Sequence, residues 1–289
     1  MIKKTILGIL VLGFIAVSCS SDDDNNSGPT TADLTLNLQG LEALGSDYVY
    51  EGWIIVDGQP VSTGTFTSVT FPQNFPVNAT QLNSATRFVL SIEPAIDTDP
   101  APADTKILVG DFNGTTASVN TDIVGDFSNA AGDFFLRTPT DESGMNNGND
   151  ENGIWFGTPG MPPTPNFVLP SLPAGWAYEG WVVGDSGPLS TGTFTTFNTV
   201  DGAAPFSGPS AGPPVPGEDF FENEPAGESF PLDVRGRTVV ISVEPVPDDS
   251  VAPFVMKLLV GTAGNDTAPA THAFGQNLGS LPMGSVTRN

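Results

Sequence analysis

The chain has 289 residues, among them 33 acidic and 9 basic side chains, for a formal net charge of −24. That balance argues against nucleic acid as a partner, because binding it needs Lys and Arg to neutralise phosphates. It also repels the body of the protein from an anionic membrane surface, so any attachment has to come from acyl chains. One cysteine and one histidine exclude an intrachain disulfide and supply no zinc-ligand set; neither metal nor cofactor is expected.

In chain order, Met1-Ile2-Lys3-Lys4 and the apolar run from Ile6 to Val17 form the positive and hydrophobic regions of a secretory signal. The run falls short of the roughly 20 residues a membrane-spanning helix needs. Ala16-Val17-Ser18-Cys19 resembles the lipobox of bacterial lipoproteins, with Ala16 where Leu is commonest. The resemblance implies a signal peptide over 1–18 and lipidation of Cys19. It also implies a lipid-anchored place in the cell envelope, on the periplasmic or the surface-exposed face of the outer membrane. Removing residues 1–18 takes away Lys3 and Lys4 and no acid, leaving 7 basic residues against 33 acidic ones. Residues 19–31, rich in Ser, Asp and Asn, bury too little apolar surface to fold and read as a tether.

An internal repeat organises the remainder. Tyr50-Glu51-Gly52-Trp53 recurs as Tyr178-Glu179-Gly180-Trp181, and Ser62-Thr63-Gly64-Thr65-Phe66 as Ser190-Thr191-Gly192-Thr193-Phe194, both offset by 128. Ser91-Ile92-Glu93-Pro94 then matches Ser242-Val243-Glu244-Pro245, and Lys106 to Gly110 matches Lys257 to Gly261, both offset by 151. The change of offset places a 23-residue insertion in the second copy, within the Pro/Gly/acid-rich segment 201–231, which reads as loop.

Leu34, Leu36 and Leu38 alternate with polar residues, as do Phe88, Leu90 and Ile92 with Val89, Ser91 and Glu93, each pattern predicting a strand with one apolar face inward. Asp57-Gly58 and Asp185-Ser186-Gly187 supply turns; Pro94 and Pro245 close their strands. No amphipathic helix is predicted beyond the signal. The fold class expected is all-β, as two tandem β-sandwich-like domains over 32–164 and 165–289.

The succession Tyr-x-Gly-Trp, Pro-x-Ser-x-Gly-x-Phe, a strand ending Glu-Pro, then Leu-Val-Gly resembles the C-terminal extracytoplasmic domain of the anti-sigma-K factor RskA family. The likeness covers Leu34 to Phe112 and Phe167 to Ala263. Members of that family carry a sigma-binding helical domain and a membrane helix ahead of this module, and neither is recognised in this sequence.

Of the candidate sites, His272 has no counterpart in the first copy and no Ser or Cys motif to serve, so a structural role is expected. Glu51 with Glu93, and Glu179 with Glu244, have the composition of glycosidase acid/base pairs. They recur among framework residues, however, and are expected to maintain the fold. Tyr50 and Trp53, like Tyr178 and Trp181, point to opposite faces of a strand and so form no common stacking platform. The acidic loop 141–152 offers oxygen ligands for calcium without the ordered spacing of an EF-hand. Lys106 and Lys257 are equivalent, as are Arg137 and Arg288, which suggests ion pairs, with Glu51 and Glu179 as partners. Tyr50, Trp53, Gly64, Phe66, Glu93, Tyr178, Trp181, Gly192, Phe194 and Glu244 are thus the expected structural motif. No catalytic set is expected. The anticipated function is non-enzymatic: an envelope binding or structural module whose partner is another envelope protein or a glycan, or an indirect regulator of an anti-sigma system through another membrane protein, with no direct binding of a sigma factor. A glycan-active hydrolase is the remaining alternative.

Overall fold

The computed structural model describes residues 30–141, 148–248 and 250–289. The expected signal peptide, Cys19 and nearly all of the expected tether lie outside the described residues, as does the middle of the acidic loop. In the first half of the chain the strands are β1 (Thr31–Gln39), β2 (Tyr48–Val56), β3 (Gln59–Phe66), β4 (Gln73–Asn78), β5 (Arg87–Pro94), β6 (Lys106–Asn113), β7 (Thr116–Val119), β8 (Asp133–Leu136) and β9 (Gly153–Phe156). The second half contributes β10 (Trp176–Val183), β11 (Pro188–Phe194), β12 (Gly217–Asp219), β13 (Thr238–Pro245), β14 (Lys257–Thr262), β15 (His272–Ala273), β16 (Gly275–Gln276) and β17 (Met283–Arg288). One short helix, α1 (Ala79–Ser84), is capped by the Asn78 side chain; its six residues are too few to show a helical period in the sequence. The fold is all-β. No helix among the described residues is long and apolar enough to cross a membrane.

One sheet runs β3-β2-β5-β6-β7-β17-β1-β4, and the Phe66 and Phe75 rings of its two end strands meet at 5.6 Å. The second lobe repeats this order in two pieces, β11-β10-β13-β14-β16 and β12-β9-β8-β15. The registers agree in detail. Tyr50 pairs with Phe66 as Tyr178 does with Phe194, and both hairpins shift register just after the first strand's glycine, at Gly52/Trp53 and Gly180/Trp181. A Cβ on either of those glycines would lie 2.4 Å from the hydroxyl of Thr63 or Thr191, so only glycine fits there. Gly64 and Gly192 sit at φ +112° and +109°, a region L side chains avoid.

The boundary predicted near residues 164 and 165 is crossed by strand pairing in both directions. β8 and β9 precede it, yet pair with β12 and β15 of the second lobe. β17 follows it, yet sits between β1 and β7 of the first lobe. Arg137 follows β8 and Arg288 closes β17 at the same repeat offset, so these two equivalent strands each complete the sheet of the opposite lobe. Sequence similarity reports which segments are alike, not which lobe each one joins. The larger hydrophobic core extends from Leu34 and Val286 through Phe134 and Phe156 to Ile241, and Phe135, Trp155 and Val215 form a second, smaller one.

The insertion 201–231 also departs from a plain loop. Gly217, Glu218 and Asp219 form β12, which pairs with β9 in the position β4 holds beside β1. Glu228, from the same segment, accepts hydrogen bonds from the backbone N–H groups of Asp185 (3.0 Å) and Ser186 (2.6 Å), closing the β10–β11 turn. In the first copy a two-residue turn suffices, with Asp57 and Gly58 both at positive φ.

Candidate functional site: a repeated carboxylate face

Strand β5 was expected to expose one face, but it is buried on both. Phe88, Leu90 and Ile92 enter the core, while Ser91 and Glu93 are covered on the opposite side at 0% and 1% exposure. The same holds in β13 for Ser242 and Glu244. A polar relay runs across this second face. Trp53 Nε1–H donates to Ser91 Oγ (2.8 Å), whose hydroxyl donates to Glu93 Oε1. Trp181 Nε1–H likewise donates to Ser242 Oγ (2.8 Å), which donates to Glu244 Oε1. Each carboxylate also accepts from the backbone of the loop that folds over it, Glu93 from Ala103 N–H (2.9 Å) and Glu244 from Phe254 N–H (3.0 Å). The loop is thereby fastened to the sheet by a buried hydrogen bond.

Beside the relay, Ser62 donates to Glu51 and Ser190 to Glu179, and these serines accept from Gly64 and Gly192 N–H in turn. Tyr50 and Tyr178 lie on the core face, stacked on Phe66 and Phe194 at 5.4 and 5.8 Å. Their hydroxyls donate to the Glu42 and Pro170 carbonyls. The structure therefore separates Tyr50 from Trp53 and joins Trp53 to Glu93 through Ser91, with the same arrangement of Tyr178, Trp181, Ser242 and Glu244 in the second lobe.

In the second lobe this face gathers carboxylates. Glu179, Glu244 and Asp248 each bring an oxygen within 4.8 Å of the others. Burial is the main cause that pushes Glu244 up to about 8; Ser242 and Phe254 oppose the shift, and Asp248 and Glu179 add to it. Burial also drives Glu179 upward, to about 7, against the Ser190 hydrogen bond and with the help of Asp248. Next to the trio is a cavity of about 370 Å³, walled by Glu244, Asp248 and Phe254 on one side and by Glu42 and Asp47 of the β1–β2 loop on the other. Burial raises Glu42 as well, with Lys257 acting in the opposite sense.

The repeat places Glu51, Glu93 and Asp97 at the equivalent positions of the first copy. Burial raises Glu93, and Glu51 and Asp97 contribute to the shift. The signal for the third carboxylate was present in the sequence: Glu93-Pro94-x-x-Asp97 recurs as Glu244-Pro245-x-x-Asp248. The serines and Glu42 could not be read out, since nothing in a strand pattern says which polar residues become covered.

The expected lysine ion pairs are corrected. Lys106 Nζ donates to the Ala103 carbonyl (2.7 Å) and Lys257 Nζ to that of Phe254 (3.1 Å); among the described residues the ion pairs are made by Arg87, Arg235 and Arg237. Both lysines sit three residues after the carbonyl they bind, so the loop geometry itself captures them. His272 shares a 2.9 Å hydrogen bond with the Asp266 carbonyl and packs against Phe134, as a structural histidine does. At the described edges of the acidic loop, Asn149 donates to Asp141 and Thr138 to Asp150; residues 142–147 lie outside the described residues.

Fold and site together define an all-β protein of two lobes, one an eight-stranded sheet and the other a five-stranded and a four-stranded sheet, with a buried polar relay in each. Residues 27–106 match the family model described as anti-sigma-K factor rskA, C-terminal. The match takes in β1 to the first residue of β6 and stops short of the second copy, which is tied to it by internal repetition and shared register. No curated protein and no solved structure matches the chain.

Proposed function

We propose that this is a non-enzymatic, lipid-anchored envelope protein whose duplicated RskA-like unit acts as a binding or structural module outside the cytoplasm. The observation that carries the reading is the use made of the repeated hydroxyls and carboxylates. Ser91, Glu93, Ser242 and Glu244 are engaged by tryptophan and backbone donors in the same way in both lobes, as framework groups are. The N-terminal reading supplies the anchor through Cys19. A Cys19→Ala protein is expected to leave the membrane fraction and lose fatty-acid labelling; retention of both would overturn the anchor.

The family match at residues 27–106 favours one more specific reading, a contribution to an anti-sigma system through contact with another membrane protein. A shared framework does not transfer function, and a strongly acidic β-module offers no equivalent of a helical sigma-binding segment. The mature protein is therefore expected not to bind a sigma factor directly. Affinity capture of the lipidated protein from membranes tests the contact. Direct micromolar binding of the mature protein to a sigma factor would contradict the indirect role.

A further inference from the structure

The trio on the second lobe differs from an ordinary acidic cluster in one respect. Glu179 is only 5% exposed; one of its oxygens accepts from Ser190, and the other, Oε2, is buried with no N–H or hydroxyl donor, while the carboxylate as a whole meets that of Asp248. That carboxylate faces Glu244, itself 1% exposed, and Asp248. An ionised carboxylate buried without a counter-charge is strongly disfavoured, and no arginine or lysine side chain pairs with any of the three among the ion pairs of the described residues. We propose that Glu179, Glu244 and Asp248 form a binding site for one calcium ion at the mouth of the cavity between the lobes.

Calcium is bound by oxygens at about 2.3–2.6 Å in flexible geometry, so oxygens all within 4.8 Å of one another fall inside the span of a single ion. Magnesium, at about 2.0–2.1 Å and strictly octahedral, is served less well by that spacing. Three carboxylates held this close repel one another, and a divalent cation would relieve that repulsion. The open cavity leaves room for water to complete the coordination, and Glu42 faces the ion from the other lobe. A bound cation would then draw the β1–β2 loop and the loop after β13 together. Where ligands are extracellular and few, calcium affinities fall near 10⁻⁴–10⁻³ M, which suits an envelope protein.

The test is calcium titration of the full chain, stripped with chelator, at about pH 8 by calorimetry and thermal melting. One ion per chain and a melting temperature that climbs with calcium by mass action are expected. Asp248→Asn, at a half-exposed position, should keep the wild-type circular dichroism spectrum and weaken calcium binding by about tenfold or more. Asp97→Asn, the equivalent change in the first copy, should leave the affinity unchanged. Glu179→Gln gives a second reading at the orphaned oxygen, with the same loss expected. Absence of any heat or melting shift at ~10 mM calcium, or equal affinity in wild type and Asp248→Asn, would overturn the site. So would an equal loss in Asp97→Asn.

Discussion

The guanidinium of Arg288 lies 4.7 Å over the ring of Phe112 and donates to four backbone carbonyls. Three of these, from Leu82, Asn83 and Ala85, close the C-terminal end of α1, and the fourth, Gly114, belongs to the β6–β7 turn. One side chain on β17 thus ties together three elements of the first lobe. Charged hydrogen bonds contribute about 1.5–3 kcal/mol each when their partners are otherwise left bare, and the ring contact about 0.5–1. Allowing for the water that reaches the exposed side, Arg288→Ala is expected to lower stability by about 2–3 kcal/mol in urea denaturation. Arg288→Lys should recover under half of the loss, since an ammonium group cannot fork to carbonyls on both sides.

The sequence carried the local structure of this fold well, and its connectivity poorly. Alternation at Leu34, Leu36 and Leu38, the Asp57-Gly58 turn and the closing prolines all identified strands and their ends, because side-chain direction and φ restrictions act within a few residues. The exchange of β8 and β17 left one trace, the common offset of Arg137 and Arg288, and that trace pointed to ion pairs instead. The alternation in β5 puts Ser91 and Glu93 together on the solvent side of a strand, whereas both are buried. Only the loops folding over that side, through Ala103 and Phe254, make it interior, and such coverage is a tertiary property. The third carboxylate was legible as a repeated Asp and went unread because single acids in so acidic a chain carry little information.

Strand exchange has a thermodynamic consequence. A cut between residues 164 and 165 separates β17 from β1 and β7, and β8 and β9 from β12 and β15. Each fragment then exposes unpaired strand edges and part of the common core. Fragments 30–164 and 165–289 are expected to melt without cooperativity on their own and to recover a cooperative transition when refolded together. The intact chain should show one transition. Two cooperative transitions from the separate fragments would show that each repeat folds within its own sequence.

A second group of buried acids governs pH dependence. Burial raises Glu218 to about 8 and Asp219 to about 7, against hydrogen bonds from Ser207, and from Thr140 and Trp155, respectively. An acid raised on folding binds protons more tightly in the native state, so stability falls as pH rises from the unfolded value near 4 through the folded one. Asp111 and Asp233 shift the opposite way, lowered by Arg87 and Arg235, and their contribution is lost only below about pH 4. The melting temperature should therefore be higher at about pH 5 than at about pH 8, by several degrees. Asp219→Asn should flatten that slope while lowering the melting temperature at about pH 5. A melting temperature that rises steadily from pH 5 to 8 would contradict the protonated state of this pair.

The relay itself can be measured by a double-mutant cycle. Ser242 Oγ stands between Trp181 Nε1 (2.8 Å) and Glu244, so Ser242→Ala strips one partner from a buried indole N–H and one donor from a buried carboxylate. Each group left unsatisfied costs about 1–3 kcal/mol, and Glu244 keeps the Phe254 N–H, which moderates its share; a loss of about 2–3 kcal/mol is expected. Trp181→Phe removes the donor together with some packing and should cost a similar amount. With Trp181 already changed, the serine has only the glutamate to satisfy, so Ser242→Ala in that background should cost clearly less than alone. The coupling energy is expected at about 1 kcal/mol, within the range for residues in one hydrogen-bond network. The parallel cycle on Trp53 and Ser91 should give the same sign and a similar size, because the first lobe repeats the bond at 2.8 Å. Additive losses in both cycles, within about 0.3 kcal/mol, would mean that Ser242 and Ser91 act through the glutamates alone and that no relay from tryptophan exists.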